Sequence, residues 1–252
     1  MKRVGIITDC HGNAEALQAI VGLFNEQGVE EIIHTGDVVD IGFQSKQCLD
    51  FLLGLPNCTL TLGNHDYDYL INRRQHLPMS HVSAEHKAFV FDSLGDDYRK
   101  FVERFPVAVV RSWYGKTFVF THYASAEHNF SAKGWIFDKI DSYPTAEAFD
   151  RMFQYSADGV FFGHKHESCD IVGRSTYVDV GSIACHPDAV ANGIILTVTR
   201  DGWNYQRVSA PYDRKKYVFN MLKSGLPDAQ YMLDFYYDHI YGVDGAKEGG
   251  KI

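Results

Sequence analysis

Apolar and polar positions in this chain follow two rhythms. Arg3 to Thr8 is a short apolar run of strand length, and from about Asn13 the residues Leu17, Ile20, Val21 and Phe24 recur at helical spacing until Gly28. Glu31 to His34 is a second short run. Gln44 to Leu53 is a second helical stretch, with Pro56 and Asn57 beyond its end, and Cys58 to Leu62 is a third run. The order β-α-β-α-β predicts parallel strands joined by helical crossovers. Residues 67–105 read as helical: Ser83 caps a helix through Leu94 with Glu85 in its first turn, and Asp96 to Arg104 forms another.

The pattern changes after Pro106. Val107 to Ser112 and Lys116 to Thr121 flank Trp113-Tyr114-Gly115, which predicts a hairpin. Residues 123–144 mix aromatic, small and polar positions (Tyr123, Phe130, Trp135, Phe137, Tyr143) and read either as a long loop over a pocket or as a loop pinned by ordinary apolar contacts. Pro144-Thr145 starts a helix to about Tyr155, and Gly159 to Phe162 is a strand. Two more hairpins follow, Asp170 to Val172 with Thr176 to Val180, and Ile194 to Thr199 with Trp203 to Val208. From Asp213 on, Tyr217, Met221, Tyr231, Leu233, Phe235 and Tyr236 sit at helical spacing, which predicts a helical pair on the sheet. No linker or repeat divides the 252 residues, so a single domain is expected, with its core over about 1–210 and a helical extension over about 213–248.

Composition narrows the function classes. With 24 basic and 32 acidic residues the net charge is −8, and no basic stripe is present, which argues against a stable nucleic-acid partner. No segment has the apolar length of a membrane helix, and the first residues turn polar too soon for a signal peptide, so a cytoplasmic protein with no membrane partner is expected. Five scattered cysteines without C-x-x-C spacing argue against a disulfide framework or a zinc ribbon. If the first strand continues, alternation turns Cys10 away from a face shared by Asp9 and His11, and the same alternation puts the rings of His164 and His166 on one face.

Five apolar runs end in metal-ligand residue types: Asp9-x-His11, Gly36-Asp37, Gly63-Asn64-His65-Asp66, His122, and Gly163-His164-x-His166. In open α/β sheets, sites form beyond the carboxyl ends of strands. Singly, each residue has a plain structural reading; Asp9 and Asn64 are common caps or turn residues, and His34 reads as structural. Together they offer three carboxylates, one amide and five imidazoles to one small volume. That exceeds one ion's needs and suits two divalent ions sharing a carboxylate. The nitrogen and oxygen donors favour Mn²⁺, Fe²⁺/Fe³⁺, Zn²⁺, Co²⁺ or Ni²⁺.

In order and spacing these blocks resemble the calcineurin-like metallophosphoesterase superfamily, most closely the small bacterial and archaeal YfcE-type phosphodiesterases. Gly181-Ser182 after a late strand also fits. The resemblance implies a four-layer α-β-β-α sandwich with two mixed β-sheets. It implies that Asp9, His11 and His166 bind one metal, that Asn64, His122 and His164 bind the other, and that Asp37 bridges them, Mn²⁺ being favoured. His65 would protonate the leaving alkoxide, Asp66 would fix its tautomer, and a hydroxide between the metals would attack a small phosphodiester or nucleotide-like substrate.

Two departures bear on the substrate. Ile41 and Asp66 stand where the superfamily's protein phosphatases carry arginine and glutamate, which argues against that branch. Tyr123 follows His122 where many relatives have glycine; it either narrows the pocket for substrate or packs. His186, beyond Gly181-Ser182, is a second candidate for substrate contact, while Arg73 and Arg74 read as a solvated helix face. The rival readings are a scaffold that kept the fold, as retromer-type relatives do, and a nucleotide-sensing protein with feeble turnover. Assembly into a homo-oligomer stays open.

Overall fold

The computed structural model describes residues 1–72, 82–125, 137 and 144–238. Two five-stranded mixed sheets face each other. In the first, β1 (Lys2–Ile7), β2 (Glu31–His34) and β3 (Cys58–Leu60) run parallel. Helices α1 (Ala14–Glu26) and α2 (Ser45–Gly54) are their crossovers. Asn13 caps α1 by accepting from Ala16 N–H. Helix α3 (Asn64–Asn72) follows β3, then α4 (Ala84–Leu94), capped by Ser83, and the single turn α5 (Arg99–Val102).

The second sheet takes β4 (Ala108–Trp113), β5 (Lys116–Thr121), β6 (Gly159–Phe162), β7 (Cys169–Val172) and β8 (Thr176–Asp179), with α6 (Ala146–Met152) between β5 and β6. Its order is β4-β5-β6-β8-β7, and β5, β6 and β8 are parallel. The chain then returns to the first sheet as β9 (Val190–Val198) and β10 (Trp203–Pro211), giving β10-β9-β1-β2-β3. The predicted four-layer α-β-β-α sandwich is the fold observed.

Side-chain alternation builds the layers. Val4, Ile6 and Ile33 from β1 and β2, with Ile194, Leu196 and Val198 from β9, meet Phe118, Phe120, Phe161, Val178 and Val180 of the facing sheet in a dry inner core. The Phe120 and Phe161 rings stack at 5.6 Å. The other face of the first sheet carries α1. Gly5 makes that approach close, because a Cβ there would overlap the ring of Phe24.

Several predicted boundaries shift for local reasons. The β4–β5 turn is the two-residue Tyr114-Gly115, both with positive φ, a geometry that suits the twist of a hairpin. Strand β3 ends at Leu60, and the Leu62 N–H goes to Pro106 O instead. Strands β9 and β10 extend to Val190 and Pro211, past Gly193 and Asn192, which carry no apolar pattern. Most of the predicted 123–144 loop, together with Arg73, Arg74 and residues 239–252, lies outside the described residues.

The tail departs furthest from expectation. Helix α7 (Arg214–Lys223), the turn α8 (Ala229–Met232) and the π-helical turn Leu233–Tyr237 bring aromatic rings to the loops at the strand ends. Tyr217 packs on Phe43 at 5.6 Å, and Tyr236 approaches the imidazoles of His11 and His166. No described helix is long and apolar enough to cross a membrane.

The inner core sets the spacing of the two sheets, so emptying it should be expensive. Phe161→Ala should lower the unfolding free energy by about 3–5 kcal/mol, measured by urea denaturation. A change within about 0.5 kcal/mol, the scale of a surface substitution, would show that the sheets do not depend on this layer.

Candidate metal centre

The parallel strands of both sheets deliver the candidate residues to one edge. Asp9 and His11 follow β1, Asp37 follows β2, and Asn64 to Asp66 follow β3. His122 follows β5, and His164 and His166 follow β6. Asp9, His11, Asp37, Asp40, Ile41, His164 and His166 all have positive φ, seven of the nine non-glycine residues that do so among the described residues. Such backbone clusters where surrounding structure over-determines it. His164 and His166 are therefore not on one face by strand alternation; β6 ends at Phe162, and the two rings turn toward different partners.

The carboxylates are held by one oxygen and left free at the other. Asp37 Oδ1 accepts the His65 backbone N–H at 2.8 Å. Its Oδ2 lies 3.2 Å from His122 Nε2 and 3.8 Å from His11 Nε2. Asp9 Oδ2 accepts from Thr8 Oγ1 and from the His164 N–H at 2.5 and 3.1 Å. Its Oδ1 is buried without a hydrogen-bond partner, 3.5 Å from His11 Nε2 and 3.3 Å from His166 Nε2.

The imidazoles are fixed in the complementary sense. His11 Nδ1 donates to Val39 O and His122 Nδ1 to Thr35 O, which leaves each Nε2 turned inward. His11 Nε2 lies 3.1 Å from His166 Nε2. His122 Nε2 lies 2.8 Å from Asn64 Oδ1 and 3.2 Å from His164 Nδ1. Acceptor atoms facing one another in a buried space need a proton or a cation between them. Among the described residues Asp37, His122 and His164 form one group able to hold a metal ion, and His11 takes part in two others.

The electrostatics carry the same message. Burial disfavours charge on both His122 and His164, yet Asp37 and Asp9 lift His122 to about 9. Burial and the charge on His122 take His164 down to about 3. Burial works against ionisation of Asp9 and Asp37 too, but the surrounding histidines hold both well below the usual carboxylate range. Protons on selected histidines offset the carboxylates here, in the places where divalent cations would do so. The donor set of oxygen and imidazole nitrogen fits such ions.

One expectation is corrected. Asp66 does not touch the His65 side chain. Asn64 opens α3, and neighbours on a helix face apart, so Asp66 points back along the chain. It accepts four backbone N–H groups, from Asp37, Val38, Val39 and Gly63, at 2.8–3.2 Å. Burial and the Asp37 charge push its carboxyl up to about 6, still ionised at neutral pH. Asp40 takes the orienting place: its Oδ2 accepts from His65 Nδ1 at 2.7 Å. Gly63 lets these two loops approach closely, because a Cβ there would overlap the Asp37 carboxylate.

The calcineurin-like phosphoesterase family model matches residues 2–168. This chain belongs to that family. It is 23% identical over 241 residues to an uncharacterized protein of Methanocaldococcus jannaschii, spanning 89% of this chain and 94% of that one. Two solved structures share the metallophosphoesterase fold. A hypothetical protein from Pyrococcus horikoshii has TM-score 0.72, 16% identity and coverage of 94% and 98% of the two chains. A metallophosphoesterase from Sphaerobacter thermophilus has TM-score 0.66, 20% identity and coverage of 92% and 98%.

Outside the residues matched by the calcineurin-like phosphoesterase model, the chain adds side chains that sequence reasoning missed. The Cys185 thiol joins His11 and His166 in a group able to hold a metal ion, and Tyr236 lies 5.9 Å from the His166 ring. Neither had a spacing signal, because tertiary structure alone brings them here. Of the two substrate-contact candidates, Tyr123 is buried against Phe153, Phe162 and His164. His186 accepts from Asn192 Nδ2 at 2.9 Å and lines a cavity of about 340 Å³ with His166, Ser182, Arg207 and Ser209.

The Asp66 carboxylate should act as the clasp of this edge. Asp66→Ala strands four buried N–H donors and should lower stability by about 3–5 kcal/mol, read by urea denaturation. A loss below about 1 kcal/mol would show that water or a backbone shift replaces it.

Proposed function

We propose that this phosphoesterase is a cytoplasmic phosphodiesterase with a dinuclear metal centre, acting on a small phosphodiester or nucleotide-like ester. The observation that carries the reading is the pair of ligand sets meeting at Asp37 Oδ2. Asp9, His11 and His166 would hold one cation, Asn64, His122 and His164 would hold the other, and Asp37 would bridge. Divalent cations bound there supply Lewis acidity at the phosphoryl oxygens and activate water for in-line displacement. Mn²⁺ is the first choice for an oxygen and imidazole set.

The chain's own residues do the rest. His65 is not among the ligands in this reading. Its Nδ1 is engaged by Asp40, so Nε2 is the nitrogen left to carry a proton to the departing alkoxide. Its ring sits edge-on to His11 at 4.8 Å, close enough to His11 and Asp37 to form a group with them able to hold a metal ion. Ile41 is fully buried where the protein phosphatases of this superfamily use arginine, which favours a small ester over a phosphoprotein. All five cysteines are free, in keeping with a reducing compartment.

Mn²⁺-loaded protein should hydrolyse bis(p-nitrophenyl) phosphate faster than p-nitrophenyl phosphate, and chelation should abolish both activities. His65→Ala should lower kcat by about 10²–10⁴-fold while leaving bound metal unchanged by elemental analysis. Metal-replete protein inert on a panel of phosphodiesters and monoesters would refute the assignment.

A further inference from the structure

Asp40 is fully buried and turns its two oxygens to two different imidazoles. Oδ2 takes the His65 proton at 2.7 Å. Oδ1 lies 3.1 Å from His86 Nε2 and also accepts the Ile41 N–H at 2.9 Å. His86 stands in the first turn of α4, equally buried, and its Nδ1 lies 2.9 Å from the carbonyl of Pro227 in the C-terminal segment. A carbonyl cannot donate a hydrogen bond, and neither can an ionised carboxylate. Both ring nitrogens of His86 must then donate, so the ring carries two protons and a positive charge.

The surroundings support that charge state. Burial of His86 opposes it, but the bond to Asp40, the Asp40 charge, the Pro227 carbonyl and the Asp228 charge together raise its pKa above the ordinary histidine value. Burial likewise opposes ionisation of Asp40, and the bonds from His65 and His86 overcome it. Helix α4 is anchored independently, by the buried ion pair between Lys87 and Asp68 of α3. His86 therefore approaches Asp40 from a fixed support.

We infer that His86 is a positioning residue: a buried imidazolium that pins the Asp40 carboxylate, and through it His65, while tying the C-terminal segment to the site by way of Pro227. Its bearing on turnover rests on the proposed role of His65 as proton donor. With His86 removed, Asp40 keeps the Ile41 N–H on Oδ1 but loses its second counter-charge. Its carboxylate then gains freedom to turn, and the His65 ring loses the fixed acceptor that orients it. The step that needs the proton should slow, with ground-state binding of the ester unaffected.

The test uses the full-length, Zn²⁺-loaded protein, labelled with ¹⁵N. Long-range ¹H–¹⁵N spectra at neutral pH should show both His86 nitrogens protonated; a neutral His86 tautomer overturns the inference, and this measurement needs no variant. In His86→Gln, which offers Asp40 an uncharged donor, the His65 Nδ1 proton resonance should move and kcat should fall about 10–100-fold with KM held within about twofold. An unmoved resonance with unchanged kcat overturns it. Protein inert on every phosphoester, yet with a doubly protonated His86 and a resonance that moves in His86→Gln, sinks the phosphodiesterase reading and sustains the pin. Full turnover with a neutral His86 sinks the pin alone.

Discussion

Asp9 and Asp37 each divide their two oxygens between the fold and the site. Asp37 gives Oδ1 to the backbone of α3 and leaves Oδ2 facing His11 and His122. Asp9 gives Oδ2 to Thr8 and His164 and leaves Oδ1 facing His11 and His166. The same hydrogen bonds that close the loops therefore fix which oxygen is free and where it points. Without that division the carboxylates could turn to satisfy themselves elsewhere, and the histidines would converge on nothing. Everything around them serves to hold the six parallel strands so that their ends stay in register.

Placing Asp9, Asp37, Asp40 and Asp66 in one buried region concentrates negative charge in a medium that tolerates it poorly. The chain answers each carboxylate differently. Asp66 is neutralised by four backbone N–H dipoles, and Asp40 by two imidazoles. Asp9 and Asp37 turn their free oxygens to imidazoles, and two of these, His11 and His122, have their outer nitrogens committed to backbone carbonyls. The first two are complete within the protein; the last two are complete with a cation. That contrast separates the residues that hold the site together from those that would hold its metal.

Much of this was legible in the sequence. The β-α-β-α-β opening, the hairpins and the five strand-end groups follow from apolar runs stopped by Gly, Asp, Asn and His, and Asp9, His11, Asp37, Asn64, His122, His164 and His166 meet at one edge. Three features were not legible. Asp66 sits beside His65 in sequence, but adjacent residues on a helix diverge, so Asp40 orients the ring instead. Strand alternation failed for His164 and His166 because left-handed residues after β6 carry them. The tail's aromatic stripe reads equally as sheet packing or as cover for the site; only folding places Tyr236 near His166 and Pro227 beside His86.

The proposed function stands on Asp37 being able to serve two cations at once. Anomalous X-ray scattering at the manganese edge, from crystals grown with Mn²⁺, addresses it directly. The account predicts two peaks, ~3.5–4 Å apart, one beside Asp9, His11 and His166 and one beside Asn64, His122 and His164, with Asp37 in contact with both. A single peak at saturating Mn²⁺, or two peaks that both leave Asp37 untouched, would contradict it.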